Sequence, residues 1–332
     1  MAKAQTASTK AADGQQAEDP GVWLERYGRM LTIRLFESEM HSLFLKGEVH
    51  GTTHLAAGQE AVPVGVCTAL RPDDYAAGTY RGHGHALAKG TDPEPLAAEM
   101  LGRATGVCGG RAGSMNVIDL EHGLIGCFGI VGGSIGAATG AALTAKRHGR
   151  VAAAFFGDGA TNQAYFHECL NFAAVAALPM LFVCENNFYS EFTPMQKVTA
   201  GADIAARAAA YAVPSQVVDG NDVFAVHAAA GEAIERARSG GGPTLLECQT
   251  YRHYGHSKSD PAKYRPQEEV ERWLARDPLT VAKQKLQELG ASEADIQAVD
   301  EEVQAGMDRA IEAALAGPYP DSAKERATEF KS

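Results

Sequence analysis

Gly157-Asp158-Gly159 and, further along, Glu185-Asn186-Asn187 are the residues of this chain whose types and spacing carry the most chemistry. A carboxylate and an amide oxygen together suit a hard cation such as Mg²⁺, which keeps open coordination positions for phosphate oxygens. Gly157 and Gly159 let backbone approach a ligand closely, and a helix that follows points its amino end at an anion. For Asp158 and Asn187 to share one ion, the chain between them must bring both to one place. Val151 to Phe156 is a short apolar run that reads as a buried strand. Roughly Ala160 to Ala176 reads as a helix, and Met180 to Cys184 as a second buried strand. A crossover of this kind makes the two strands parallel. Asp158 and Asn187 are then expected at the same carboxyl edge of a sheet, where open α/β sheets bind ligands.

A nicotinamide site is the rival reading, because Gly157-x-Gly159 is half of G-x-G-x-x-G. Asn162 stands where the third glycine is needed. An Asp between the first two glycines also repels a pyrophosphate unless a cation intervenes. The pattern resembles instead the thiamine diphosphate signature, a GDG triplet followed one β-α-β unit later by an Asn pair. That resemblance implies thiamine diphosphate with Mg²⁺. The dinucleotide alternative is disfavoured.

The elements that position these residues can be placed along the chain. Asp19-Pro20 reads as an N-cap and first-turn proline. It opens a helix with Trp23, Leu24, Tyr27, Met30, Leu31, Leu35 and Phe36 as its apolar residues. A helix is expected over Gln59 to Leu70, a strand over Tyr75 to Thr79, and a helix from Asp92-Pro93 through Arg103. Thr105 to Gly136 is dense in glycine and reads as an ordered binding loop. Gly133 to Lys146 follows as a helix of very small residues. Downstream of the metal motif come a helix near Asp203 to Tyr211, a strand at Gln216 to Val218, a helix from Val223 to Arg238 and a strand at Thr244 to Gln249. A polar loop, Tyr251 to Arg265, precedes amphipathic helices from Gln267 onward, broken at Asp277-Pro278. The fold class expected is α/β, a mostly parallel sheet with helices on both faces plus C-terminal helices.

Composition narrows the function. The chain has 332 residues, 45% hydrophobic and 21% charged, enough for one large α/β domain. A formal charge of −11 argues against nucleic acid as a partner. The six cysteines are scattered without a C-x-x-C pair, which suggests reduced thiols in a cytoplasmic protein rather than zinc or disulfides. The longest apolar stretch, Phe172 to Cys184, is interrupted by Pro179 and too short for a bilayer. Residues 1–20 read as a disordered tail.

A diphosphate beside Asp158 needs positive charge, and two loops offer it. One holds Tyr80-Arg81-Gly82-His83; the other holds Arg252, His253 and His256. Each follows a predicted strand, so both could reach the same sheet edge. His83-x-His85 lacks a third ligand nearby and is a weak metal candidate.

Nearly the whole chain from about Trp23 resembles the α subunit of the dehydrogenase component of 2-oxo-acid dehydrogenase complexes, the pyruvate and acetoin dehydrogenase type. His54-Leu55-Ala56-Ala57-Gly58-Gln59-Glu60-Ala61, Tyr80 to Gly84, Gly113-Ser114-Met115, Gly129 to Gly132, the metal motif and Tyr251-Arg252 through Asp260-Pro261 carry the resemblance. It implies that Asp158 and Asn187 hold Mg²⁺ through side chains and Tyr189 through its carbonyl. It implies that Gly157, Gly159, Tyr80, Arg81, Arg252 and His256 meet the cofactor, with Gly129 and Val131 offering backbone groups to its aminopyrimidine ring. His256 and His54 are the candidate catalytic residues, His54 on the substrate channel. Residues 21–265 would form the phosphate-binding half of the cofactor domain and 266–332 a helical extension.

The same resemblance implies partners. The glutamate that activates the cofactor comes from a β subunit, so two α and two β chains would complete the site. A lipoylated acyltransferase core would receive the acyl unit of a small 2-oxo acid or acetoin. Asn116 and Ala112 stand where relatives usually have His and Gly. Phe188 to Pro194 is nearer the acetoin type, and Gly129-Ile130-Val131 differs from the branched-chain type, which points to a small acyl group. An α subunit for another 2-oxo acid or a keto sugar, or a catalytically degenerate scaffold chain, are the alternatives.

Overall fold

Residues 19–201 and 203–321 are described by the computed structural model; most of the expected N-terminal tail and residues 322–332 lie outside the described residues. The first helix, α1 (Pro20–Leu45), starts where Asp19 accepts a hydrogen bond from Gly21 N at 3.0 Å. Then come α2 (Ala61–Cys67), β1 (Tyr75–Thr79), α3 (His83–Lys89) and α4 (Pro93–Met100). β2 (Leu124–Phe128), α5 (Gly133–His148), β3 (Ala152–Gly157), α6 (Ala164–Val175) and β4 (Met180–Asn186) form the middle of the chain. Two short strands, β5 (Tyr189–Ser190) and β6 (Thr193–Pro194), make a small hairpin. β7 (Ser215–Asp219), α7 (Val223–Arg238) and β8 (Thr244–Gln249) complete the sheet, and α8 (Gln267–Leu274), α9 (Pro278–Glu288) and α10 (Glu293–Ala316) follow.

Six strands form one parallel sheet in the order β2-β1-β3-β4-β8-β7. Strand residues alternate between two cores. Ala153, Phe155, Leu181 and Val183 pack with α1, α2, α4, α7 and the C-terminal helices. Ala152, Ala154, Phe156, Met180 and Phe182 pack with α5, α6 and the 3₁₀ turn of Ala205–Tyr211. Helices therefore cover both faces, and the central strands β3, β4 and β8 are buried on both, whereas the edge strand β7 is largely exposed. α10 is not a detached appendage. It packs on α1 and α4, and its Ile296, Met307, Ile311 and Ala314 belong to the same core as Met30 and Phe36.

Three local readings need correction. The helix after β3 does not begin at Ala160. Asp158–Asn162 is a 3₁₀ turn, Gln163 is extended (ψ 151), and α6 begins at Ala164. Gln59 and Glu60 lie outside α2, because Gly58 takes φ +95 and turns the chain just before them. A side chain there would run into Tyr251 O and the His253 ring. Third, the glycine-dense segment contains the edge strand β2, and the loop after β1 becomes helix α3 at His83.

The amino ends of β1 and β3 are pinned by one buried carboxylate. Asp74 accepts from Arg71 N and Val151 N, both at 2.8 Å, and takes the Arg238 guanidinium in a two-pronged pair at 3.1 and 2.6 Å. Removing the acid would leave two amides without this acceptor and the half-buried Arg238 guanidinium with only Gly149 O, at 2.9 Å. We expect Asp74→Ala to destabilise the chain by about 3 kcal/mol. Urea unfolding followed by far-UV circular dichroism checks this, and a loss within experimental error of zero would contradict it.

Candidate active site

β3 and β4 pair in parallel with Gly157 opposite Glu185. That register sets Asp158 and Asn187, each just beyond its paired strand end, at the same carboxyl edge. A cavity of about 430 Å³ opens there. It collects the residues to which the resemblance gave a role: His54, Tyr80, Arg81, Gly129, Val131, Gly157, Asp158, Gly159, Asn187, Tyr189, Arg252 and His256.

Asp158 is 1% exposed, and its Oδ2 has no hydrogen-bond partner among the described residues. Burial pushes its carboxyl up to about 6, against the positive charge of Arg252 and the backbone N–H groups of Asp158 and Asn187. Such an oxygen is costly unless something else binds it. Gly159 follows for a spatial reason: a Cβ there would collide with Ser190 Oγ, itself buried and without a partner.

The two Asn residues have separate tasks. Asn186 donates to Glu247 Oε1 at 2.7 Å and accepts from Phe188 N at 3.1 Å, so it builds the turn. Asn187 donates its nitrogen to Gln59 Oε1 at 3.0 Å, which leaves its oxygen, met only by a long 3.4 Å contact from Tyr189 N, as the free end. Phe188 and Glu191 both take left-handed backbone (φ 66 and 54), conformations that cost energy in residues with side chains. The Tyr189 hydroxyl donates to Glu269 Oε1 on α8 at 2.8 Å, and Tyr251 donates to the same oxygen at 2.7 Å.

Two buried arginines face this acid end of the cavity. Arg81 donates to Leu55 O at 2.5 Å and His256 O at 2.8 Å. Burial and the neighbouring Arg252 lower its pKa to about 10. Arg252 donates to Glu191 O at 3.0 Å and contacts His256 Nδ1 at 3.1 Å, and its Nε has no partner. Neither guanidinium has a carboxylate within ion-pair distance among the described residues. Two buried cations without an acid are unfavourable until an anion joins them.

Beside the two arginines stand aromatic and imidazole rings. His54 lies 4.5 Å from the Tyr80 ring and 4.9 Å from His256, and Phe192 lies 6.1 Å from His256. Burial, then the positive charge of Arg81, holds His54 down to about 3 and His256 to about 4. Both rings are neutral at neutral pH. His253 leaves this group. It turns toward Asp277 (3.6 Å) and stands against Gly58, so it adds no charge to the cavity. His83 and His85 are also elsewhere, bound to Glu37 and Glu185.

Sequence reasoning missed Gln59, Met115, Glu185 and Ser190, which also line the cavity. Gln59 lies inside a stretch singled out as a motif, but its pairing with Asn187 spans 128 positions and has no local signal. The loop from Tyr251 to Arg265 is more firmly held than its polar composition suggests. Asp260 accepts from His256 N, Ala262 N and Tyr264 Oη, and Lys258 reaches His41 O at 2.8 Å.

The sequence profile of the Dehydrogenase E1 component family matches residues 28–323. The chain belongs to that family. Among its relatives is the α subunit of the acetoin:2,6-dichlorophenolindophenol oxidoreductase of Bacillus subtilis, 47% identical with 91% of each chain covered. The subunit of the same name from Cupriavidus necator is 44% identical, covering 91% of this chain and 92% of its own. The pyruvate dehydrogenase E1 component subunit α of Zymomonas mobilis is 42% identical over 92% of this chain and 88% of its own. As an E1 dehydrogenase component the chain is a thiamine-dependent oxidoreductase subunit, and family membership implies the use of thiamine diphosphate.

The histidines give this E1 chain a defined acid response. Their folded values, about 3 and 4, lie below the ordinary 6.5, so the folded chain binds fewer protons than the unfolded one between those limits. Their share of stability is complete above 6.5 and is lost as pH falls through that window. Asp158 has the opposite sign: its carboxyl rises from 3.8 to about 6, so its share is lost as pH rises through that range. We expect His54→Gln to lose less stability than wild type between about pH 7 and about pH 5. Urea midpoints at the two pH values measure this, and equal losses in both proteins would contradict it.

Proposed function

We propose that this chain is the α subunit of an acetoin or pyruvate dehydrogenase, binding thiamine diphosphate through Mg²⁺ in the cavity at the sheet edge. The observation that carries the reading is the matched pair of deficits there. Asp158 keeps a buried oxygen without a donor, and Arg81 and Arg252 are buried without an acid. A Mg²⁺ diphosphate fits both at once, the cation meeting the carboxylate and the phosphates meeting the guanidinium groups. Asp158, the Asn187 amide oxygen and the Tyr189 carbonyl would hold the metal. The bare backbone at Gly159 leaves room against Ser190. Gly129 and Val131 line the same cavity, and their backbone groups would meet the flat ring.

Thiamine diphosphate supplies a nucleophilic carbon and an electron sink for cleaving a bond next to a ketone. The protein's share is placement. His54 and His256, neutral and at the ring-lined end, can hydrogen-bond a substrate oxygen or carry a proton to and from it. Tyr80, which lines the cavity and packs against both rings, helps to exclude water there. Acetoin is the preferred substrate, because the two subunits named for acetoin are 47% and 44% identical, against 42% for the Zymomonas pyruvate subunit. Phe188 to Pro194 agrees with that choice.

No glutamate of this chain is assigned to activating the cofactor; a β subunit supplies it, in an assembly of two α and two β chains. The acyl unit then passes to a lipoyl group of an acyltransferase core. Residues 21–265 carry the cavity, and of the helical extension 266–332 the described part, residues 266–321, braces it, an assignment supported by Glu269 on α8 tying Tyr189 and Tyr251. No helix among the described residues is long and apolar enough to cross a membrane. Scattered unpaired cysteines fit a cytoplasmic setting.

Calorimetry tests the metal assignment. Thiamine diphosphate is expected to bind only with a divalent cation, and equal affinity in EDTA would sink the assignment. Asp158→Ala should abolish binding. Asn187→Ala should weaken it roughly ten- to hundredfold, since a neutral ligand is lost and the carboxylate stays.

A second outcome concerns the partner. The purified chain alone should show no turnover of acetoin or pyruvate with a dye as electron acceptor, and mixing with its β subunit should restore it. Turnover without the β subunit would refute the shared site.

A further inference from the structure

A continuous line of buried polar side chains runs behind the cavity. Glu37 on α1 is wholly buried; its Oε1 accepts from Ala56 N at 2.9 Å, and its Oε2 meets His83 Nδ1 at 3.0 Å. The second ring nitrogen of His83 lies 2.9 Å from Ser114 Oγ. Ala56 sits between His54 and Gln59, both on the cavity wall, and Ser114 is next to Met115, which also lines it. His83 itself follows Tyr80 and Arg81 in the turn out of β1.

The Ser114 side of this line has its own anchor. Glu99, at the end of α4, accepts four backbone N–H groups: Cys108 and Gly110 at 2.8 Å on one oxygen, Ala112 at 2.6 Å and Gly113 at 3.2 Å on the other. Gly110 and Gly113 take φ +77 and +59, which bends the loop around the carboxylate. The glycine-dense loop is thus wrapped on an internal anion and then tied through Ser114 to His83.

The order Ser–His–carboxylate is that of a nucleophile with its base. Ser114 is buried and does not line the cavity, so no substrate reaches it. What a satisfied buried chain does supply is a fixed distance between the segments it joins. We propose that His83 is a positioning residue: by holding Glu37 with one nitrogen and Ser114 with the other, it fixes the wall at His54–Gln59 and the lining residue Met115, next to Ser114, at the spacing the cofactor needs. The part of this inference that concerns cofactor affinity rests on the proposed thiamine diphosphate site; the mechanical part does not.

Hydrogen exchange on the chain without cofactor tests the mechanical part. In His83→Leu, amides of residues 54–59 and 112–116 should exchange faster, while β3 and β4 keep their protection. Ser114→Ala should loosen only 112–116, because Glu37 still holds His83 and Ala56. His83→Gln, which can still bridge both neighbours, should restore both segments. A uniform loss of protection across the sheet, or unchanged exchange in both segments, would overturn the proposal. If His83→Leu fails to fold, Ser114→Ala and His83→Gln decide alone: whole-chain loosening or no change in Ser114→Ala refutes it.

Titration with thiamine diphosphate and Mg²⁺ in the αβ enzyme tests the consequence. His83→Leu and Ser114→Ala should bind on the order of tenfold more weakly, with a much smaller change in kcat at saturation, and His83→Gln should recover affinity. An equal fall in kcat with affinity unchanged would refute it. Should wild type itself not bind the cofactor, the proposed function fails and the exchange experiment still stands on its own.

Discussion

Charge left uncompensated inside the protein governs the arrangement of this molecule. Asp158 and the two arginines Arg81 and Arg252 lie on one cavity, all nearly excluded from water, and the protein pairs none of them with a direct partner of opposite charge. An isolated domain would minimise its energy by neutralising or exposing such groups. Here they are kept apart by a sheet edge whose parallel register cannot shift without moving whole strands between the two cores. The cost is carried by the buried apolar side chains of the two cores, in line with the small net stability of folded chains.

Around that imbalance, neutral hydrogen bonds do the aiming. Gln59 takes the nitrogen of Asn187, and Asn186 is spent on the turn. Glu269 gathers Tyr189 and Tyr251, tying the hairpin after β4 to the strand end of β8 through α8. Left-handed Phe188 and Glu191 survive because these ties fix the backbone between them. The charged groups therefore have little freedom to find each other and collapse the cavity.

Local chemistry explains which parts could be read from sequence. β1, α7 and β8 were legible to the residue, since Asp222 caps one helix and apolar runs bounded by turns mark the strands. Asp158 and Asn187 were legible because a β-α-β unit has only one common handedness and direction. β2 was hidden: an edge strand containing Gly126 and opening out of a glycine-dense loop has no clean apolar run. The Asp158–Asn162 3₁₀ turn was hidden because its residues are compatible with a helix start, and only tertiary contacts delay α6. Gln59 and Glu37 act on groups far away in sequence, and Glu99 on the backbone of a loop without regular structure, so periodicity could not expose them. His253 misled through adjacency, since residues next to each other in a loop point to different neighbours.

The packing of α10 on α1 and α4 has a consequence for how the chain matures on the ribosome. Tyr27 reaches Asp300, and Val299 and Val303 lie against Gly28. A helix made early in synthesis is thus covered by one made near its end. Until α10 has emerged, the side of α1 that carries Tyr27 has no permanent cover, although the parallel strands already exist as chain. Nascent domains in that condition are the ones that recruit chaperones or wrong partners. Fast docking of the late helix would serve this protein more than fast pairing of its strands.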